Sequence, residues 1–270
     1  MVKALEDIVI EEKLKVSEEE KVIVTGDWHI PFIDNKAYNV TKAFCKKYKP
    51  DIVVINGDLL DFYRISKFDK NPARKEDVSD NIHLAKEYLK DFKDSLPNKT
   101  ELYLLDGNHD VRLEQFLWKT PELYSLLSEY VSLNNLLELD KQKIKYLKAD
   151  ADYWKSTNCH LEIADTIIMH GDSRINGAKG GINAAINTAK KIRKNTIINH
   201  THNLNLKYES NGYNTIFGGN AGCLCMKNGM ADWQQGILTF EVINDKSENP
   251  QIHRIIDGVL YGNSTTYKSK

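Results

Sequence analysis

Short runs rich in Val, Ile and Leu at residues 21–25, 52–55, 102–105, 166–169 and 196–198 read as strands buried on both faces. Between the first two, Ala37, Val40, Phe44 and Tyr48 recur at helical spacing until Pro50; between the next two, Ile82, Ala85, Leu89 and Phe92 do likewise after Ser79, a cap candidate. The order is β-α-β-α-β. The later part of the chain changes period: Cys159-Leu161-Ile163, Ile237-Thr239-Glu241 and Ile252-Arg254-Ile256 alternate, with turn signals at Asn211-Gly212 and Asn228-Gly229. A second, more antiparallel sheet is expected. Two mixed sheets face to face with helices outside make an α/β, four-layer α-β-β-α sandwich. Residues 111–139 fit least well: Leu113, Phe116 and Leu117, then Leu123, Leu126, Leu127 and Tyr130, form helical stripes broken at Thr120-Pro121, read as an inserted helical flap. Residues 64–80, charged and containing Pro72, read as a mobile loop.

The 270 residues suffice for one large domain with a buried core, and the expectation is a single domain over 1–270 with the helical insertion at 111–139. At 41% hydrophobic and 28% charged the chain has ordinary globular usage, and a formal net charge of -1 provides no global field for collecting nucleic acid. Cys45, Cys159, Cys223 and Cys225 are few and scattered; Cys223-Leu224-Cys225 lacks zinc-ribbon or redox spacing, and all four read as small buried hydrophobes. Residues 1–20 lack an apolar signal-like core, and no apolar stretch approaches ~18 residues. A soluble, cytoplasmic protein without a membrane partner is expected.

Each strand run stops at a polar motif. Asp27-Trp28-His29, Gly57-Asp58, Gly107-Asn108-His109-Asp110, His170-Gly171-Asp172 and His200-Thr201-His202 contain five of the eight histidines. In open α/β sheets function collects beyond the carboxyl ends of the strands, where these residues would lie. Imidazole with carboxylate suits Mn, Fe or Zn better than Ca or Mg. Singly, the motifs are weak: Asp-x-His after a strand seldom binds metal, and Gly-Asp is an ordinary turn. Five such segments after five apolar runs are hard to attribute to accident.

Two divalent ions ~3.5–4 Å apart can clamp a phosphoryl group and hold a bridging hydroxide in line with phosphorus. Asp58 suits the bridging role because a carboxylate offers two oxygens; Asp27, His29 and His202 would complete one ion, and Asn108, His170 and His200 the other. Asn108 is a neutral ligand, which frees His109 to face the substrate as general acid. Asp61 could orient that ring, with Asp110 the competing candidate. Arg112, Arg174 and Lys179 are near proposed ligands in sequence and are assigned to non-bridging phosphate oxygens, surface solvation being the equal alternative. His83 reads as a surface histidine, His160 and His253 as surface or core ones. The basic run Lys190, Lys191, Arg193, Lys194 reads first as a solvated helix end and second as a contact to a nucleic-acid backbone.

The ordered series Asp-x-His, Gly-Asp, Gly-Asn-His-Asp, His, His-x-His over residues 21–202 resembles the calcineurin-like metallophosphoesterases, and within them compact phage and prophage, exonuclease-like phosphoesterases. The resemblance implies the four-layer sandwich, a binuclear site with these ligands, and hydrolysis of phosphate esters. Manganese is the first expectation for the two divalent transition-metal ions, with Fe, Zn or Ni as alternatives. Asn199 stands where the family usually has Gly, a position where Asn tolerates positive φ. Phe62 and Asp110 replace the Arg and Glu usual in Ser/Thr protein phosphatases, arguing against that branch, and the tail beyond Tyr208 is too short for the DNA-binding cap of double-strand-break nucleases. The expected activity is a metal-dependent hydrolase, a phosphodiesterase or small nuclease acting on a nucleotide or nucleic-acid phosphodiester. The alternatives are a phosphomonoesterase and a non-catalytic metal-binding scaffold.

Overall fold

The computed structural model describes residues 13–14, 19–149, 159–171, 181–210, 212, 214–226, 232–262 and 266–268. Strand β2 (Glu19–Thr25) leads through helix α1 (Asn35–Tyr48) to β3 (Ile52–Asn56), and through α2 (Val78–Ser95) to β4 (Glu101–Leu105). These strands pair in parallel, Val22 opposite Ile52 and Ile52 opposite Glu101, and β5 (Ile144–Leu147) extends the parallel run. On the other edge β11 (Gly236–Ile243) lies antiparallel to β2, followed by β12 (Lys246–Ile256), β13 (Val259–Tyr261) and β14 (Thr266–Lys268). The second sheet orders β1 (Lys13–Leu14), β6 (His160–Ile163), β7 (Thr166–Met169), β8 (Asn195–Ile198), β10 (Thr215–Ala221) and β9 (Leu204–Ser210). It mixes parallel pairs, β7 with β8 and β8 with β10, with antiparallel β6–β7 and β9–β10.

Side-chain alternation along β2 builds the layers. Val22 and Val24 face Leu161, Ile168, Ile197 and Phe217 between the sheets, whereas Ile23 joins Val40, Phe44, Leu89 and Phe92 beneath α1 and α2. On the far side Ile167, Met169 and Ile198 receive Ala184, Ala185 and Ile192 of α6 (Ala184–Ile192). Both faces of the central strands β3, β7 and β8 are covered, which explains their near-continuous apolar runs.

The two long helices start at carboxylates. Asp34 accepts from the backbone N–H of Lys36 and Ala37 at α1. At α2 the cap is Asp77, which accepts from Ser79 N–H, so the cap lies two residues before the expected Ser79; a carboxylate there also faces the positive end of the helix. Within 111–139 lie three short helices, α3 (Arg112–Leu117), α4 (Pro121–Leu127) and α5 (Leu133–Leu136), with Pro121 opening α4. Leu113 and Leu133 are buried, but Phe116, Leu123, Leu126 and Tyr130 are exposed, so much of the expected apolar stripe faces outward. Within residues 64–80 the Arg74 guanidinium sits 3.7 Å from the Tyr63 ring centroid and 4.6 Å from that of Phe32. The expected turn residues Asn211, Asn228 and Gly229 lie outside the described residues. No described helix is long and apolar enough to cross a membrane.

Candidate metal centre

The loops that leave β2, β3, β4, β7 and β8 must turn sharply to bring their polar side chains together. Asp27, His29, Asp58, His200 and His202 all take positive φ, between +47° and +62°. Asp, Asn and His enter that region more readily than other side chains, at a cost on the order of 1–3 kcal/mol each. Cross-loop hydrogen bonds hold them there: Asp27 N–H donates to Gly57 O (3.0 Å), His29 N–H to Asp58 O (2.9 Å) and Ile30 N–H to Leu59 O (2.9 Å). Trp28, between two site residues, is fully buried with its ring edge-on to Tyr38 and Phe92, anchoring the first loop to α1 and α2. Glycine is required at the tightest approaches. Gly57 has φ +79°, and a β-carbon there would meet His170 Nδ1 at 2.6 Å; one on Gly107 would meet Asp58 Oδ1 at 2.3 Å.

Asp58 Oδ2 is the hub. It lies 3.2 Å from His170 Nε2, 3.6 Å from His29 Nε2 and 3.9 Å from His109 Nε2. Its other oxygen accepts the His109 backbone N–H at 2.8 Å, so the expected sharing of one oxygen per ion gives way to a single oxygen facing the imidazoles. On one side of the hub, His29 Nε2 and His202 Nε2 face each other at 3.1 Å, with Asp27 Oδ1 3.7 and 3.5 Å away. Asp27 Oδ2 is taken by His200 N–H, while Oδ1 is buried without a hydrogen-bond partner among the described residues. On the other side His170 Nε2 lies 3.2 Å from Asn108 Oδ1, and His170 and His200 have ring centroids 5.2 Å apart. His170 Nδ1 donates to Asn56 O (2.9 Å), which turns the Nε2 lone pair toward the hub. Ligand atoms of Asp58, His170 and His200 all lie within 4.8 Å of one another.

A divalent cation fits this donor set. Facing imidazole nitrogens and a buried, unpartnered carboxylate oxygen gain little from one another and much from a shared ion. Asp27, His29 and His202 with Asp58 would hold one ion; Asn108, His170 and His200 with Asp58 would hold the second.

The protonation balance points the same way. Burial opposes charge on Asp27 and Asp58, yet His202 beside the first and His170 beside the second hold both carboxyls well below the usual range. Burial also opposes protonation of His29, but the carboxylates of Asp27 and Asp61 beside the ring and the charge of Asp58 raise it to about 10. Asp61, buried but hydrogen-bonded to His109 and His29, is likewise held low.

His109 stands at the mouth of the centre. Its Nδ1 faces two acceptors on Asp61, the backbone oxygen at 3.0 Å and Oδ1 at 3.1 Å, so Nδ1 carries the proton. Arg112 reaches the same pair, Nη1 donating to Asp61 O (2.7 Å) and Nη2 to His109 Nε2 (2.9 Å). Asp110, the competing partner for His109, instead accepts backbone N–H groups of Gly107, Leu59 and Leu60, tying two loops together. Asn199 works through its side chain and not through a positive φ: it accepts from Asn56 Nδ2 (3.0 Å) and donates to Gly222 O (2.8 Å), bridging the sheets.

Arg174 and Lys179 lie outside the described residues. Lys190 pairs with Glu209 and Lys194 with Glu162, which accounts for much of the basic run. His83 is exposed, while His160 and His253 are core histidines, His253 bonded to Thr239 Oγ1.

The centre opens into a cavity of about 520 Å³ that is also lined by Phe32, Arg74, Cys225, Met226 and Trp233. Sequence reasoning missed these residues. Phe32 and Arg74 carry no local signal; Cys225 had one, since alternation places it on the same side as Cys223 at a strand exit. Trp233 packs edge-on against His202, with centroids 4.0 Å apart.

The calcineurin-like phosphoesterase family model matches residues 20–236. The Gene 54 proteins of Mycobacterium phages L5 and D29 are 26% and 24% identical over 262 and 257 residues, in each case 88% of this chain and 94% of the relative. Among solved structures, Vacuolar Protein Sorting 29 from Cryptosporidium parvum is similar at a TM-score of 0.49 and 13% identity, covering 93% of this chain and 100% of that one.

Proposed function

The chain belongs to the calcineurin-like phosphoesterases, and from that premise we propose a binuclear-metal-dependent phosphodiesterase acting on a nucleotide or nucleic-acid diester. The observation that carries this reading is the position of Asp58 Oδ2 between three imidazoles, of which His109 is the most exposed and lines the cavity. Two divalent ions in such a centre supply a nucleophile at neutral pH and neutralise charge on the phosphoryl group.

The protein's own groups do the rest. Asp61 fixes the His109 ring through Nδ1 and leaves Nε2 facing the departing oxygen; Nε2 takes up a proton once Arg112 has left it, and the doubly protonated ring then donates to that oxygen. Arg112 occupies Nε2 in this geometry and is five-donor and permanently charged, so an incoming phosphate oxygen would draw it off the imidazole and onto the substrate. The diester preference rests on the cavity wall: Phe32, Met226 and Trp233 offer apolar and aromatic surface for an organic group beyond phosphorus, which a monoester would leave uncovered on one side.

Turnover of bis-p-nitrophenyl phosphate against p-nitrophenyl phosphate with added Mn²⁺ tests this directly. The diester should be the faster substrate; faster monoester hydrolysis would make the protein a phosphatase, and no hydrolysis of either by metal-loaded protein would leave a binding scaffold.

A further inference from the structure

We propose that Cys225 is a thiolate ligand to the ion held by Asp27, His29 and His202, so that the two halves of the centre differ in softness. This rests on the metal-centre reading above. Ligand atoms of His29, His202 and Cys225 all lie within 4.8 Å of one another, and all three residues are buried. Ligands on one ion at bond lengths of ~2.0–2.3 Å span about that distance or less.

The backbone positions this thiol. Cys225 N–H donates to Asp27 O (3.2 Å), the carbonyl of Cys225 accepts from Gln235 Nε2 (2.9 Å), and an antiparallel bridge to Ile33 fixes the register. Cys223 lies beside it within hydrogen-bond reach of the Cys225 thiol, but its own thiol donates to Gln234 O at 3.6 Å, and Cys225 is the one grouped with His29 and His202. The buried, unpartnered Asp27 Oδ1, directed at the same two imidazoles, is an independent mark of a cation position. The opposite half draws on Asn108, His170 and His200, a harder set without a thiol among the described residues.

Binding exchanges the S–H bond for a metal–sulfur bond, and the proton leaves to solvent without a change of oxidation state. With protein groups alone, the hydrogen bond to Cys223 and burial keep the thiol protonated; a divalent cation reverses that local balance. Sulfur then biases this half toward Zn²⁺, Co²⁺ or Fe²⁺ over Mn²⁺.

Co²⁺ titration of metal-stripped protein, followed by absorption, tests the proposal. A near-ultraviolet thiolate-to-cobalt band should grow to one thiolate per chain, persist in Cys223→Ser and vanish in Cys225→Ser while cobalt still binds. Zn²⁺ affinity of Cys225→Ser should fall about tenfold, with Mn²⁺ affinity nearly unchanged. Should the variant fail to fold, zinc X-ray absorption of the wild-type protein decides: one sulfur at ~2.3 Å supports the ligand, and an all-nitrogen/oxygen shell overturns it. Bound cobalt without a thiolate band, or the same band in Cys225→Ser, refutes the thiolate and leaves the metal centre standing. Failure to bind cobalt at all refutes both.

Discussion

Two groups of buried aspartates, distant in the chain but in electrostatic contact through Asp58 and Asp110, have opposite fates. Asp27 and Asp58 are ringed by imidazoles and stay ionised in spite of burial. Asp106 and Asp110, just behind them, are pushed up to about 7 and about 6, by burial first and then by the charge of a neighbouring carboxylate. Their partners differ accordingly. The front pair faces His29, His170 and His202, whereas Asp106 accepts from Tyr146 OH (2.6 Å) and Ala149 N–H (2.8 Å), and Asp110 from three backbone N–H groups. The same side chain thus serves as cation ligand or as loop clamp according to whether imidazole or backbone surrounds it.

The comparison can be broken first at the hub. Asp58→Ala should abolish retention of the ion pair and lower turnover by about 10⁴-fold, read by steady-state kinetics and elemental analysis. Retained metal with near-normal rate would show that Asp58 is not the shared ligand. Next, His109→Ala should leave metal content intact and cost about 10²-fold on diesters with poor leaving groups, with a smaller loss for nitrophenolate. Equal losses on both would remove His109 from proton donation.

The smallest expected effect belongs to the rear pair. The folded pKa of Asp106 is raised above 3.8, so its contribution to stability is fully present below that value and is lost as pH rises through about 7. Asp106→Asn carries no such titration. Relative to wild type, the metal-free variant should gain about 2 kcal/mol in denaturant stability between pH 5 and pH 8. A constant difference across that range would mean that Asp106 is not held near neutral.

How much of this could be read from the chain depended on whether the signal was local. The parallel core was legible because strands covered on both faces become unbroken apolar runs such as residues 52–55, and each run ended at a motif. The convergence of Asp27, Asp58, Asn108 and the histidines was legible in outline, because five loops at the same strand ends can hardly avoid meeting. What escaped was set by tertiary contact. Nothing near Asn199 announces that its side chain would bridge Asn56 and Gly222, nor near Arg74 that it would stack on Tyr63 and Phe32 beside the centre. Asp61 stands ahead of Asp110 as the partner of His109 in the sequence, but both spacings permit the contact and only the placed loops separate the two.

The central claim is that seven separated side chains hold two ions close together. Elemental analysis of Mn²⁺-loaded protein combined with electron paramagnetic resonance tests it most directly. Two manganese ions per chain, with the exchange-coupled spectrum expected for ions ~3.5–4 Å apart, is the predicted result. One ion, none, or two magnetically isolated ions would contradict it.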